Sequence, residues 1–433
     1  MARSEVSRRS FLGGAAATLA GPYMLTSSAL GANGRPAASE RVTLGAIGVG
    51  GRGTGVLGGF LGITQCLAIC DVKPERREAV KSMVERRYSR DMAKGTYKGC
   101  TATNDFRAIV ARDDIDAVTI ATPDHWHAIP GILAARSGKD IYVEKPFTLN
   151  IEEGRAYVDA VERYGRVLQL GTQQRSDGRF RFACELARNQ KIGELRTIRV
   201  GSPASGRSGV LPEQPIPKGF DYDLWLGPAP WAPYHPARVR TPLWYFIADY
   251  SMGFISGWGI HHVDIAQWGN GTDETGPIEL EGTGTFPADG PADTATAWRV
   301  VCTYASGVKM IFADNRQEKQ GVVFEGTEGW VYVRRGFIDA NPKSLLTATI
   351  GPNDVRLPRS RGHARNLVES IKSRQPTVCP AETAHRSNSI CQLADIAIRL
   401  GRKMHWDPER ERFTNDDEGN RMLGKAMRKP WHL

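Results

Sequence analysis

Val42-Thr43-Leu44-Gly45-Ala46-Ile47-Gly48-Val49-Gly50-Gly51-Arg52-Gly53 is an apolar run that ends in a glycine-rich turn, and a helical stretch follows it. A G-x-G-x-x-G turn alone is weak evidence. Its place directly after a strand and before a helix is what a dinucleotide site needs, because the glycines permit a tight turn and let a pyrophosphate approach the helix N-terminus. Gly48, Gly50, Gly51, Arg52 and Gly53 are therefore the first candidate cofactor contacts. A second apolar strand, Gln65 to Cys70, ends in Asp71, eighteen residues after Gly53, near the spacing at which an acid accepts the adenosine ribose hydroxyls. Asp71 favours NAD, while Lys73 and Arg76 just beyond it keep NADP open by offering charge to a 2′-phosphate. The bland alternative for Asp71 is a cap on the helix that Pro74 opens, and capping does not exclude ribose binding.

Strand and helix continue to alternate. Ala117 to Ala121 is β-rich, residues 126 to 137 read as a helix, and Asp140 to Val143 is again a strand. The pattern predicts an α/β fold with a doubly wound parallel sheet. Ligands of such sheets sit beyond the carboxyl ends of the strands. Two segments fall there, Thr122-Pro123-Asp124-His125-Trp126-His127 and Glu144-Lys145-Pro146.

The chain has 433 residues, 41% hydrophobic and 24% charged, which excludes a disordered or membrane-embedded class and predicts two domains with tails. Its net charge of +10 is dispersed in short groups beside carboxylates, with no basic run interleaved with aromatics, so nucleic acid is not an expected partner. The seven cysteines are scattered without a C-x-x-C pair, which predicts buried thiols rather than a zinc ribbon or a disulfide scaffold. Ser7-Arg8-Arg9-Ser10-Phe11-Leu12, followed by an Ala/Gly-rich stretch to about Ala32, has the layout of a twin-arginine export signal. With four glycines and a proline between residues 11 and 32, that stretch is too weakly apolar for a stable membrane span. Cleavage is expected between Ala29 and Ala38, delivery through the twin-arginine machinery to the periplasm or beyond. That route carries folded proteins, so the leader itself points to a cofactor inserted before export.

Three further motifs complete a pattern: Ala121-Thr122-Pro123-Asp124-His125-Trp126-His127, Glu144-Lys145-Pro146, and Gly259-Ile260-His261-His262-Val263-Asp264. In order and spacing they make the sequence similar to the Gfo/Idh/MocA oxidoreductases, the glucose-fructose oxidoreductase and inositol dehydrogenase type, from about Arg41 to about Asp407. The resemblance implies a leader and linker over 1–38, a Rossmann NAD(P)-binding domain over 39–172, and an α/β domain over 173–407 with a large open, mostly antiparallel sheet. That sheet often assembles dimers or tetramers. Residues 408–433 are left as a tail, and a late helix over 381–402 is expected to pack back on the Rossmann domain. Short β-rich segments at 195–201, 296–304, 308–313, 321–325 and 329–333 agree with such a sheet, and helical periodicity returns at 363–374 and 381–400.

By the same resemblance, Lys145 lies between nicotinamide and substrate, His261 is the acid/base for the reacting hydroxyl, and Asp264 orients the imidazole or binds a sugar hydroxyl. Thr122, Pro123, His127, Glu144 and Lys145 would contact the cofactor. The chemistry suits these types: loss of a hydride from a carbinol carbon needs the hydroxyl proton taken concurrently, which imidazole does near neutral pH. A lysine beside a cationic ring has its pKa lowered and can shuttle a proton. One departure stands out. Many relatives carry an aspartate four residues before the histidine, and this chain has Gly257, so Asp264, Asp249 or a substrate group must compensate.

Gln173, Gln174 and Arg175 follow a strand and face either the substrate or a polar domain hinge; of the adjacent pair His261 and His262, one is expected to face away. A Pro-rich insert between Gly209 and Phe246 holds Trp225, Trp231, Tyr234, Trp244 and Tyr245, rings that either cover a sugar or pack the loop itself, as a lid or a subunit arm would. His125 and His127 have spacing that suits zinc, but no Cys or Glu pattern converges with them, so no metal is expected. The expected substrate is a small carbohydrate or polyol. Because an exported enzyme has no supply of free NAD, the cofactor should be held tightly and regenerated in place. Three function classes follow: net oxidation or reduction of a sugar hydroxyl; redox-neutral cleavage, elimination or epimerisation through transient oxidation; and non-catalytic sugar binding.

Overall fold

The computed structural model describes residues 41–433, so the twin-arginine leader, its cleavage point and the linker to residue 38 lie outside the described residues. Six parallel strands form the first sheet: β1 Thr43–Ile47, β2 Gln65–Cys70, β3 Thr101–Thr103, β4 Ala117–Ile120, β5 Asp140–Val143 and β6 Leu168–Leu170. Their order is β3-β2-β1-β4-β5-β6, so the winding direction reverses between β1 and β4 and opens a crevice at their carboxyl ends. The helix Gly51–Phe60 starts within four residues of the end of β1. This is possible because Gly48 takes φ 78° and because Gly53 packs onto it, where a Cβ would stand 1.9 Å from the Gly48 carbonyl oxygen.

Nine strands build the second sheet: β7 Leu195–Ser202, β8 Glu279–Thr285, β9 Ala297–Thr303, β10 Lys309–Asp314, β11 Gly321–Gly326, β12 Trp330–Arg334, β13 Phe337–Asn341, β14 Met404–Asp407 and β15 Arg412–Phe413. In the order β13-β12-β11-β7-β10-β9-β8-β14-β15 all neighbours are antiparallel except β7 and β10. One face buries Ile198, Val200, Trp298, Val300, Phe312 and Phe324 in the main core, while the other carries Arg199 paired to Glu318 and Glu325. The five segments read as strands in this region match β7 and β9 to β12 within one residue. β8, Glu-Leu-Glu-Gly-Thr-Gly-Thr, was not legible because only Leu280 of it is buried.

Two expectations need correction. The helix expected at 126–137 is a single tight turn, Asp124–Trp126, then a helix Ala128–Arg136 whose first turn accommodates Pro130. The expected tail at 408–433 is folded structure. It contains β15 and a helical turn Asp417–Arg421, and it buries Phe413 and Leu423 because Phe413 packs its ring 5.0 Å from Trp406. All seven cysteines are free and buried, and among the described residues no helix is long and apolar enough to cross a membrane.

The chain returns to the first sheet after the second one is built. The helix Ala381–Leu400 lies against the Rossmann half, with Asn388 Nδ2 and Gln392 Nε2 donating to the Thr148 carbonyl at 3.0 and 3.1 Å. The helix His363–Ser373 inserts Leu367 and Val368 into the core that Leu44, Leu57 and Tyr142 form behind β1. Leu367 is wholly buried there. Leu367→Ala should therefore destabilise the protein by about 2–5 kcal/mol, the range for a truncated buried leucine, and urea denaturation followed by a Rossmann-half probe would read it.

Candidate functional site

A cleft with about 1320 Å³ of empty space, mouth included, runs along the crevice at the ends of β1 and β4. At one end it is lined by Gly48, Gly50, Gly51, Asp71, Lys73 and Arg76; at the other by Thr122, Asp124, Glu144, Lys145, Trp244 and Tyr245. The glycine turn fits a phosphate group. Gly48 leaves no room for a side chain against Thr122, whereas a Cβ on Gly51 would meet nothing, so the start of the Gly51–Phe60 helix is open to the cleft. Asp71 closes β2 as expected and accepts the Val49 and Lys73 N–H groups at 3.1 and 3.0 Å. It does not cap the next helix: Lys73 holds that position without a side-chain bond. Arg76 reaches back over Gly50, where a Cβ would lie 2.8 Å from its Nη1.

The far end is a charge cluster drawn from both halves of the molecule. Glu144 Oε1 accepts from Arg52 at 2.7 Å, Tyr142 at 3.1 Å and Gln173 at 3.1 Å, while Oε2 is buried without a partner. Lys145 Nζ donates to the Gly257 carbonyl at 2.7 Å and lies 5.3 Å from the centroid of the Tyr245 ring. Burial lowers its pKa, with Arg52 and Arg335 adding to the effect and Glu144 and Asp124 opposing it. Asp124 has 1% of its surface exposed, and its Oδ2 has no hydrogen-bond partner. Burial lifts its carboxyl to about 7, against the pull of Lys145.

His261 is buried with Nδ1 unpartnered, and the Trp258 ring meets it edge-on at 5.6 Å. Burial, then the positive charges of Lys145 and Arg335, hold its pKa well below the ordinary value, so it is a neutral imidazole. Arg335, on the turn after β12, sits 4.8 Å over Trp258. With its amide oriented to satisfy both neighbours, Gln174 donates to the His261 carbonyl and accepts from Arg335 Nε. Arg335 and Asp124 were not singled out in the sequence. Nothing local marked Arg335, which reaches the cluster from a distant hairpin, but Asp124 stood in a motif already placed at a strand end.

Other expected site residues go elsewhere. Asp264 does not orient His261: its carboxylate is bound by Arg175 at 2.7 and 2.8 Å and by Ser387 at 2.9 Å, and Arg175 also takes Asp273 at 2.7 Å. Arg175 and Asp264 thus satisfy each other in the core, and neither lines the cleft. His262 faces away, with Nδ1 on the Gly201 carbonyl at 2.7 Å. His127 lies between the carbonyls of Pro146, 2.6 Å from Nδ1, and Thr122, 3.1 Å from Nε2; burial lowers its pKa, so the neutral ring donates to one of them, and the shorter Nδ1 contact to Pro146 ties it to the loop that carries Lys145. A Cβ at Gly257 would stand 3.3 Å from the Tyr245 ring, a tight contact that a small shift of the ring would relieve, and that ring lies beside Lys145. Asp249, the other suggested substitute, is exposed.

Comparison with known proteins agrees with the fold. Residues 43–172 match the oxidoreductase family NAD-binding Rossmann fold, and 204–433 match the C-terminal alpha/beta domain of the same GFO_IDH_MocA family. The chain is 26% identical over 317 residues to the uncharacterized oxidoreductase YrbE of Bacillus subtilis, covering 69% of this chain and 80% of that protein. It is 32% identical over 132 residues to a glycosyl hydrolase family 109 protein of Saccharopolyspora erythraea, a match spanning 30% of this chain and only 28% of that protein. The fold is shared with the WlbA dehydrogenase of Bordetella pertussis, solved with NADH and UDP-GlcNAcA, at a TM-score of 0.62 and 17% identity over 85% of this chain and 98% of that one.

Two measurements test these assignments. Asp264→Asn should cost about 1–3 kcal/mol of stability by removing one of the two carboxylates that neutralise the buried Arg175 and leaving Asp273 as the other, while the folded fraction keeps its nucleotide affinity; a loss of affinity without a loss of stability would place Asp264 in the site. A carboxyl with a raised folded pKa supports the fold below its unfolded pKa of ~4 and loses that support as pH climbs to its folded value. For Asp124 that window ends at about 7. The melting temperature of Asp124→Asn relative to the unchanged protein should therefore rise between about pH 4 and about pH 7 and level off above that.

Proposed function

This chain belongs to the Gfo/Idh/MocA oxidoreductase family, and from that premise we propose that it oxidises a hydroxyl of a sugar, polyol or glycoside with a tightly held NAD, outside the cytoplasm. The observation that carries the reading is the junction of the glycine turn and the Lys145–His261 cluster in and beside one cleft. When bound there, nicotinamide supplies the hydride acceptor. NAD rather than NADP is supported by Asp71, whose carboxylate stands at the end of β2 where ribose hydroxyls would reach it.

The protein's part is to manage the hydroxyl proton. Lys145, partly open to the cleft, is the group best placed to take it, because a depressed pKa leaves its ammonium ready to give up one proton and accept another. Asp124 is the buried carboxyl to which Lys145 can pass that proton. His261 cannot readily become cationic among Lys145, Arg335 and Arg52, so its role is that of a neutral hydrogen-bonding partner to the substrate oxygen. Arg52 and Arg335 stay cationic throughout and stabilise negative charge developing on that oxygen. Trp244 and Tyr245, stacked at 3.8 Å, offer an aromatic wall to a sugar ring. The open face of the nine-stranded sheet is assigned to self-association as a dimer or tetramer.

A second reading is favoured by the similarity to glycosyl hydrolase family 109: transient oxidation acidifies the neighbouring C–H, loss of that proton expels the aglycone and water adds in its place, or the proton returns on the opposite face, and the hydride is then given back to the oxidised carbon. Both readings share the first step. The protein, purified from the cytoplasm without its leader, should carry nucleotide or bind added NAD; absence of both would end the proposal. In a screen of sugars, sugar acids and glycosides, net oxidation is expected to raise the reduced-nicotinamide absorbance, and aglycone release without such a change would select the redox-neutral route. Lys145→Met should lower either rate by about 100-fold or more while leaving NAD affinity within a few-fold.

A further inference from the structure

The outer wall of the cleft comes from the 209–246 insert, and it is fastened at the end where Asp71 lies. Asp221 N–H donates to the Val72 carbonyl at 3.3 Å, and Asn104 Nδ2 donates to the Asp221 carboxylate at 3.1 Å. Trp126 Nε1 donates to the Leu224 carbonyl at 3.0 Å, and the Lys73 ammonium sits 5.0 Å over the Phe220 ring. Leu224, Trp225 and Val239 of the insert line the same space as Asp71, Lys73 and Asn104. A dinucleotide seated on the glycine turn thus has its adenosine half between the Rossmann loops and the insert.

The insert is in turn held by the last residues of the chain. Arg428 donates from its backbone N–H to the Pro228 carbonyl at 2.8 Å, from Nε to the Gly227 carbonyl at 3.0 Å, and from Nη1 and Nη2 to the side chain and carbonyl of Asp223 at 2.5 and 2.8 Å. Gly227 takes φ 52° and lies so close to Trp126 that a Cβ would stand 2.1 Å from the indole. Three residues on, the Trp431 ring meets Trp126 edge-on at 4.7 Å and lies 6.4 Å from Phe106, with the Arg107 guanidinium 5.4 Å from it. Phe106 and Trp126 themselves line the cleft. The segment 425–433 therefore braces both walls, yet none of its residues is fully buried. Such a segment can detach without unfolding the body beneath it.

We propose that residues 425–433 form a latch in which Arg428 and Trp431 are positioning residues that keep the insert closed over the adenosine half of bound NAD, so that nucleotide exchanges with solvent only when the latch opens. This rests on the cleft being the dinucleotide site. It explains how an enzyme working where free NAD is absent could keep its cofactor.

The test is the rate at which NAD-loaded protein releases its nucleotide into an excess of a competing analogue. Arg428→Ala, Trp431→Ala and a chain ending at Gly424 are each expected to release at least tenfold faster, and Trp431→Phe to stay near the unchanged protein. If the truncated chain does not fold, the two point variants decide. Variants that melt normally and release within twofold of the unchanged protein overturn the latch alone. An unchanged protein that takes up no nucleotide overturns the cleft assignment, and the latch with it.

Discussion

The buried Glu144 and Asp124 carboxyls and the largely buried Lys145 converge at one end of the cleft, with the exposed Arg52 and Arg335 guanidinium groups beside them. Charges taken out of water are tolerated only when they are paired and hydrogen-bonded. Here the partners come from both halves of the chain: Lys145 from the end of β5 is satisfied by the Gly257 carbonyl, and Arg335 from beyond β12 is satisfied by Gln174 and the Trp258 face. The cluster is therefore complete only when the two sheets are mated. Arg175 enforces that mating from behind, since its guanidinium, just beyond β6, binds the two acids Asp264 and Asp273 of the second half.

The same constraint explains the departure from the family pattern at position 257. An acid there would place a negative charge directly beside Lys145. In this chain the Tyr245 ring lies beside Gly257 and Lys145, and the carboxyl groups in the electrostatic neighbourhood of Lys145 are Glu144 and Asp124, both from the Rossmann half. A buried carboxyl lifted to about 7 is a proton acceptor matched to neutral conditions, whereas an acid firmly paired with Lys145 would stay ionised at any such pH.

The first sheet was legible because its signals are local. Gly48 to Gly53 follows an apolar strand, and β5 and the late helix Ala381–Leu400 end where their periodicity ends. Polar strands at the sheet margin were not legible: Leu280 is the only buried residue of β8, and β13 is Phe-Ile-Asp-Ala-Asn. At the site, Glu144 and Lys145 could be read because a strand end presents them. Asp264 could not be read correctly, since one helical turn after His261 does place it nearby, but its partner Arg175 is 89 residues away in sequence. Long-range pairing of this kind decides between a catalytic and a structural acid, and spacing along one helix carries no information about it.

The tail shows the same limit with a different consequence. Residues 408–433 are rich in charge and carry little periodicity, which reads as solvent-exposed chain, yet Glu411 binds Arg155 and His385, and Arg428 reaches back across 205 positions to Asp223. An element that contributes few buried apolar atoms to the core but many directed hydrogen bonds to one loop adds little to global stability. What it can control is the position of that loop. Where that loop walls the proposed nucleotide cleft, the local stability of the tail contributes directly to the free energy of opening the wall.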